Sequence, residues 1–230
     1  MNKKLLAAMV LGAAGLAWAA PQARADVISV GGSVNGGAIV TAVNQSPTAV
    51  NYSSSTAFGT GWNVSVDSTG TPPLPQPELD STTIDISPAG AGTLTIYVTE
   101  QGLTGPLGSY NLQSSFSSVT FNGPITSITE STYIDPGNGQ YATTDLLSTS
   151  TFTKAGGVTD VTGTPDLTGP YSITEIFTID ASSGCTSSSN CNTDDGIDTS
   201  DVPEPGSLLV LGTGLFAFGL VGWTRRRRGV

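Results

Sequence analysis

Apolar and polar residues alternate with a period of two along much of the segment between residues 26 and 181. This period is typical of β-strands that bury one face. The clearest runs place the following residues on one face: Trp62, Val64 and Val66; Ile84 and Ile86; Leu94, Ile96 and Val98; Ile173, Phe177 and Ile179. Glu175 falls on the apolar face of the last run, which predicts an edge strand, a bulge or a residue with a special role.

Turn signals rich in glycine, proline and asparagine separate these runs, and no helical periodicity occurs between the two ends of the chain. The Pro72 to Pro77 segment is interpreted as a stiff loop between two strands. The pattern predicts an all-β fold, a single β-sandwich of about eight to ten strands, jelly-roll-like or immunoglobulin-like, over residues 26–181. Such folds host many unrelated functions, so the architecture assigns none.

The first 25 residues have the pattern of a secretory signal peptide. A basic start at Lys3 and Lys4 precedes an apolar stretch, and small residues with A-x-A spacing follow at Ala23 and Ala25. This order predicts cleavage before Asp26 and export into an oxidising compartment.

Residues 203–230 have three parts: a proline-rich motif, an uncharged segment and a basic end. Pro203, Glu204 and Pro205 favour an extended, accessible backbone. The uncharged segment from Ser207 to Trp223 reaches the lower limit of about 17 residues for a membrane-spanning helix. Its span is marked by Ser207, Leu208, Leu211, Leu215, Phe218, Leu220 and Trp223, and Arg225, Arg226, Arg227 and Arg228 follow as a cytoplasmic retention block.

Residues 182–202 are rich in Ser, Asn, Asp and Gly, which predicts a flexible acidic stalk. The stalk contains the two cysteines of the chain, Cys185 and Cys191, and we interpret them as a disulfide. Four aspartates follow, and calcium is bound by such residues, but their spacing does not match an EF-hand. A solvated linker is therefore the preferred interpretation of Asp194, Asp195, Asp198 and Asp201.

Charge and composition exclude several functions for the segment between the two ends. It carries one cation, Lys154, against 17 carboxylates, so it is expected to repel nucleic acid. The chain has no histidine, which removes Ser-His and Cys-His nucleophile pairs and imidazole metal clusters, and no cofactor or metal is predicted. We expect no enzymatic activity, although a carboxylate-pair glycosidase stays open. Trp62 is predicted to lie in the core, and a sugar-stacking role stays open for Tyr52, Tyr97, Tyr110, Tyr133, Tyr141 and Tyr171.

The order of Pro203-Glu204-Pro205, a short glycine-rich span and four terminal arginines resembles the PEP-CTERM sorting signal of Gram-negative bacteria. The resemblance implies export through the Sec translocon, transient anchoring in the inner membrane and processing by an exosortase at the PEP motif. It also implies release or attachment at the cell surface and a link to exopolysaccharide and biofilm. The leading hypothesis is a non-enzymatic surface or matrix protein. The alternative is a calcium-assisted, lectin-like β-sandwich that binds carbohydrate.

Overall fold

The computed structural model describes residues 27–59, 61–185 and 193–202, and these form twelve β-strands and one short 3-10 turn at Ala57–Gly59. The strands are β1 (Val27–Val34), β2 (Val40–Ser46), β3 (Ala49–Ser54), β4 (Asn63–Thr69), β5 (Leu79–Ser87), β6 (Gly92–Leu103), β7 (Asn111–Phe121), β8 (Ile125–Asp135), β9 (Asp145–Phe152), β10 (Gly156–Gly163), β11 (Tyr171–Ala181) and β12 (Thr193–Asp201). The predicted all-β class is confirmed, with more strands than the eight to ten expected.

The strands form two six-stranded sheets. Sheet A has the order β2-β1-β6-β11-β8-β9, and sheet B has the order β10-β7-β12-β5-β4-β3. Every ladder between neighbouring strands is antiparallel. The chain crosses from one sheet to the other between β2 and β3 and again between β9 and β10. These four are the outer strands of the two sheets, so a crossing lies at each edge of the sandwich.

The hydrophobic core lies between the two sheets and is built from the faces that the alternation predicts. Trp62, Val64 and Val66 of the β4 region are buried, as are Leu94, Ile96 and Val98 of β6. The predicted core position of Trp62 is confirmed. The Pro72 to Pro77 segment connects β4 to β5 within sheet B, as expected for a loop between strands.

The strand β11 lies in the middle of sheet A, with β6 on one side and β8 on the other. Its ladders are regular around Glu175, which lies opposite Val98 and Thr132, and the register shifts occur only near the two ends of the strand. Two of the three explanations for Glu175, an edge strand and a bulge, are therefore wrong. The prediction that its side chain lies on the apolar face is confirmed, and the side chain is fully buried.

The prediction of a flexible stalk at residues 182–202 is wrong for Thr193–Asp201, which form the strand β12. Thr193–Asp201 pairs with β5 on one side and with β7 on the other, and it forms the centre of sheet B. Its inward residues Thr193, Asp195, Ile197 and Thr199 are buried, while Asp194 and Asp198 are half-buried on the opposite face. The sandwich therefore extends beyond residue 181, to Asp201.

Several predicted features lie outside the described residues: the signal peptide (1–25) with the cleavage site at Asp26, the PEP motif (203–205), the membrane span (207–223) and the arginine block (225–228). Within residues 27–59, 61–185 and 193–202, no helix is long and apolar enough to cross a bilayer. Cys185 has no free thiol. Cys191 is not among the described residues, so the pairing of these two cysteines stays a prediction.

Candidate functional site

The outer face of sheet A carries a groove of about 550 Å³ across four strands, β6, β11, β8 and β9. The antiparallel register aligns one row of side chains along its floor: Tyr97 lies opposite Ile176, Ile176 opposite Ser131, and Ser131 opposite Thr149. The full lining consists of Thr95, Tyr97, Thr129, Ser131, Tyr133, Thr143, Leu146, Thr149, Ile176 and Thr178. The volume lies within the range of about 300–1,000 Å³ that is typical of small-molecule sites.

Hydroxyl groups are arranged in cross-strand pairs on the β8 and β9 side of the groove. The Ser131 and Thr149 hydroxyls lie 2.8 Å apart, and those of Thr129 and Thr151 lie 2.9 Å apart. Each hydroxyl has one donor and two acceptor sites. The Thr149 hydroxyl also donates to the Glu130 carbonyl at 3.1 Å, so the Ser131–Thr149 pair keeps acceptor sites for a ligand and the Thr129–Thr151 pair keeps one donor as well. The pairs also fix the rotamers of these side chains, which lowers the entropy lost when a ligand binds.

The loop between β8 and β9, residues 136–144, folds over the same face and bounds the groove. Its start is held by the Asp135 carboxylate, which accepts hydrogen bonds from the Gly137 amide (3.2 Å), the Gly139 amide (2.6 Å) and the Thr144 hydroxyl (2.7 Å). Burial raises the pKa of Asp135, but these three hydrogen bonds outweigh it and hold the pKa below the ordinary value of an aspartate.

The tip of this loop is fastened to the sheet beside the groove. The Tyr141 amide donates to Thr99 Oγ1 at 3.1 Å. The Tyr141 ring lies 5.9 Å from the Tyr97 ring in a tilted arrangement, and this contact fixes the position of Tyr97. Gly31 of β1 lies below Tyr141, where a Cβ atom would come within 2.8 Å of the Tyr141 ring. The absence of a side chain at Gly31 therefore permits the close approach of the loop.

The groove contains aromatic, aliphatic and hydroxyl groups, and none of its lining residues carries a formal charge. Aromatic rings offer faces for apolar C–H surface, and hydroxyls exchange hydrogen bonds with neighbouring hydroxyls. An uncharged, polyhydroxylated ligand has both kinds of surface. The lining contains no carboxylate.

A second group of polar residues is buried between the sheets. The carboxylates Glu100 on β6, Glu130 on β8, Glu175 on β11 and Asp195 on β12 are all at most 3% exposed. Burial raises the pKa of Glu130 to about 9 and that of Asp195 to about 6. Burial also raises the pKa of Glu175 well above its ordinary value. A carboxylate that loses hydration without gaining a cation favours its neutral form.

Three of these carboxylates accept hydrogen bonds: Asp195 from the Thr193 and Thr83 hydroxyls, and Glu175 and Glu100 as follows. The Thr199 hydroxyl of β12 donates to Glu175 Oε1 at 2.8 Å, which joins sheet B to sheet A. The Thr71 amide donates to Glu100 Oε1 at 2.6 Å. The sequence pattern flagged Glu175 because of its phase, but it did not identify Glu100 or Glu130. The position of each on the β-period, Glu100 in phase with Val98 and Glu130 in phase with Ile128, would have been the available signal.

The tyrosines that the sequence left open have different places. Tyr97 and Tyr133 line the groove, and Tyr141 packs beside it. Tyr110 donates a 2.9 Å hydrogen bond to Tyr171, which is fully buried, and Tyr52 packs against Phe58 at the other side of the sandwich. Only part of the predicted set is therefore brought together.

The four aspartates of the predicted stalk do not converge. Asp195 points into the core, whereas Asp194 and Asp198 lie on the opposite face of β12 and Asp201 ends the strand. Across residues 27–59, 61–185 and 193–202, no group of three or more His, Cys, Asp or Glu residues is placed to hold a metal ion.

No protein-family model and no curated protein matches this chain. Among solved structures, the chain is similar to TmCBM61 in complex with β-1,4-galactotriose, with 11% identity, a TM-score of 0.31, and coverage of 67% of this chain and 88% of that chain. It is also similar to the K1 cleaved adhesin domain of Lys-gingipain from Porphyromonas gingivalis W83, with 12% identity, a TM-score of 0.34, and coverage of 67% and 99%.

A third similar structure is a variant of the carbohydrate-binding module CBM29-2 complexed with mannohexaose, with 9% identity, a TM-score of 0.27, and coverage of 76% of this chain and 90% of that chain. Carbohydrate-binding modules therefore recur among the structural neighbours. At these scores and identities the neighbours assign no function to this chain.

Proposed function

We propose that this chain is an exported protein whose sandwich binds a neutral polysaccharide in the groove on the outer face of sheet A. The observation that carries the proposal is the floor of the groove, where an aromatic ring, an aliphatic side chain and hydroxyl groups are aligned across four strands without any charge. An extended glycan has alternating apolar and hydroxyl surfaces that such a row complements.

The binding mode follows from the chemistry of the lining. Tyr97 and Tyr133 provide ring faces for the C–H side of a sugar, Ser131 and Thr149 provide acceptors for its hydroxyls, and the Thr129–Thr151 pair keeps one donor. Because the groove is open and lies on a regular sheet, a polymer can pass across it without threading. The segment between residues 26 and 202 has a formal charge of −16, which disfavours acidic polysaccharides relative to neutral ones.

The test is a binding measurement on the full-length chain in mild detergent. Affinity electrophoresis or isothermal titration compares neutral soluble polysaccharides, the exopolysaccharide of the host and an acidic polysaccharide. Tyr133→Ala is expected to weaken binding of the neutral polymer about two- to tenfold, since an aromatic contact contributes about 0.5–1.5 kcal/mol. Tyr52→Ala, the same truncation on β3 of the other sheet, is the control and leaves binding unchanged. No binding by the unaltered chain, or equal losses in both variants, refutes the groove.

The route of the protein is a separate part of the proposal. It is supported by the order of Pro203-Glu204-Pro205, the uncharged segment 207–223 and the terminal arginines, which resembles a PEP-CTERM signal. In this proposal the tail holds the protein in the inner membrane until an exosortase cuts near the motif, and the sandwich then reaches the cell surface or matrix. Mass spectrometry of secreted material tests it. Recovery of peptides that contain residues 208–228, in cells with an active exosortase, contradicts it.

A further inference from the structure

Four of the buried oxygen atoms that have no hydrogen-bond partner belong to three side chains between the sheets: Glu130 Oε1 and Oε2, Asp195 Oδ1 and Ser118 Oγ. Their side chains are 0%, 3% and 2% exposed. They come from three strands, β8 of sheet A and β12 and β7 of sheet B. Buried polar atoms are almost always paired in folded proteins, so such a concentration needs a physical explanation.

The three side chains occupy the same region of the core. The Thr132 hydroxyl of β8 lies 3.5 Å from the Thr199 hydroxyl of β12, so these two strands pack on one another across the core, and the charge of Asp195 raises the pKa of Glu130. Asp195 lies opposite Ser118 in the ladder between β12 and β7, and the Ser118 hydroxyl is near enough to lower the pKa of Asp195 without reaching hydrogen-bond geometry. The Ser117 amide likewise lowers the pKa of Glu130.

The other oxygen of Asp195 is held in place. Asp195 Oδ2 accepts hydrogen bonds from the Thr193 hydroxyl at 2.9 Å and from the Thr83 hydroxyl at 3.4 Å. These two donors fix the orientation of the carboxylate, and Oδ1 is left without a hydrogen bond. A carboxylate with one oxygen anchored and the other available is the usual arrangement of an oriented metal ligand.

Compensation for two buried carboxylates has to come from protons or from a cation, because an isolated buried charge is strongly disfavoured. Lys154 is the one basic residue in the described part of the chain, and it is exposed in the β9–β10 connection. A proton on Glu130 that is donated to Asp195 Oδ1 satisfies two oxygens, and the Ser118 hydroxyl can donate to the second Glu130 oxygen, so protons are the alternative that the test below separates from a cation. A cation contacts all of them at once.

We propose that Glu130, Asp195 and Ser118 bind one hard divalent cation, such as Ca²⁺ or Mg²⁺, between the two sheets. Hard cations prefer oxygen ligands, and the two carboxylates balance a charge of +2. The ion would join β8 of sheet A to β12 and β7 of sheet B, and water or the neighbouring threonine hydroxyls would complete its ligands. This site does not depend on the ligand of the groove. Of the four aspartates in the segment predicted as a stalk, only Asp195 takes part in it.

The test uses the full-length chain in mild detergent, stripped with a chelator and then dialysed against Ca²⁺ or Mg²⁺. Metal content by elemental mass spectrometry and thermal unfolding are measured for the unaltered chain, Glu130→Gln and Glu175→Gln. Glu175 is the matched control, because it is a buried carboxylate on the neighbouring strand that already has a hydroxyl donor. We expect one ion per chain and a higher melting temperature for the unaltered chain and for Glu175→Gln. Glu130→Gln is expected to bind at least tenfold more weakly, without the shift in melting temperature.

Ser118→Ala provides a second readout if Glu130→Gln does not fold, because it removes an unpaired hydroxyl and retains both carboxylates. It is expected to weaken binding several-fold. The proposal is overturned if the stripped and dialysed chain binds neither cation, or if Glu130→Gln retains a stoichiometric ion. Equal stability of Glu130→Gln and the unaltered chain, with no effect of chelator on either, would identify a proton as the compensating charge and would also overturn it.

Discussion

The buried carboxyl group of Glu175 should make the stability of the sandwich decrease as the pH rises. Its side chain is fully buried in the centre of sheet A, and burial raises its pKa well above the ordinary value. The hydroxyls of Ser81 and Thr199 lower the pKa, but less than burial raises it. The folded protein therefore holds a proton at pH values where the unfolded chain has released it. Replacing Glu175 with Gln removes this titration.

The magnitude follows from proton linkage. Below the pKa of the unfolded chain, near 4.5, both states are protonated and the contribution to stability is fully present. Between that value and the folded pKa, each pH unit costs up to about 1.4 kcal/mol of unfolding free energy. Over two units inside this window, the unaltered chain is thus expected to lose up to about 2.7 kcal/mol relative to Glu175→Gln.

Urea unfolding at pH 5.5, 6.5 and 7.5, in the presence of a chelator, measures this difference for the full-length chain in mild detergent. Thr199→Val is the control, since it removes the hydroxyl that donates to Glu175 and leaves the carboxyl group in place. It should lower stability by about 1 kcal/mol and keep the pH slope. The reasoning is refuted if the slope of Glu175→Gln equals that of the unaltered chain, or if the stability of the unaltered chain rises over this range faster than that of the variant.

Three further predictions concern β12, the loop beside the groove and the cysteines. Ile197→Ala should lower the free energy of unfolding, measured in urea, by about 2–5 kcal/mol because Ile197 is buried in a central strand. Ser200→Ala, on the other face of β12, should be almost neutral, and equal effects of the two substitutions would indicate a stalk. Asp135→Asn should lower the free energy of unfolding by about 1–3 kcal/mol and weaken polysaccharide binding. The stability that Asp135 adds to the unaltered chain should be lost as the pH falls through the lowered pKa of this carboxylate. Cys191→Ser should leave a thiol at Cys185 that reacts with a thiol reagent. It should lower the free energy of unfolding by about 2 kcal/mol, as expected for a disulfide that closes a short loop. An unreactive Cys185 in this variant would contradict the pairing.

The strands that the sequence predicts well are those whose inward positions are all apolar. In β6, Leu94, Ile96 and Val98 occupy three successive inward positions, so local alternation is sufficient to identify the buried face. The position of Glu175 was also visible, because three apolar neighbours in phase define the face on which it lies. Whether that face belonged to an edge or a central strand was not visible, since strand order depends on pairing between residues far apart in the chain.

The strand β12 could not be predicted because its inward positions are mostly polar. Of Thr193, Asp195, Ile197 and Thr199, only Ile197 is apolar, and the segment has the composition of a solvated linker. The partners that make these polar residues tolerable in the core come from other strands, 24 to 112 positions away: Glu175 for Thr199, Thr120 for Thr193 and Thr83 for Asp195. The local pattern of apolar and polar residues does not identify such partners.

The groove was predictable in its residue types but not in its position. Tyr97 and Tyr133 belonged to the set of tyrosines with an open role, and both line the groove. Their alignment with Ile176 and Ser131 depends on the order β6-β11-β8, in which neighbours in the sheet are distant in the sequence. The role of Asp135 in anchoring the loop beside the groove depends on backbone amides and was likewise absent from the pattern of side chains.

The central position of β12 has a consequence for the order of assembly. It is the last of the twelve described strands to be synthesised, yet it supplies the ladder that connects β7 to β5. Before it inserts, sheet B consists of two separate pieces with unpaired backbone edges, and such edges are templates for pairing with other chains. A polypeptide that ends or stalls before residue 193 should therefore be aggregation-prone, and addition of a peptide that corresponds to residues 193–201 should rescue it by strand complementation.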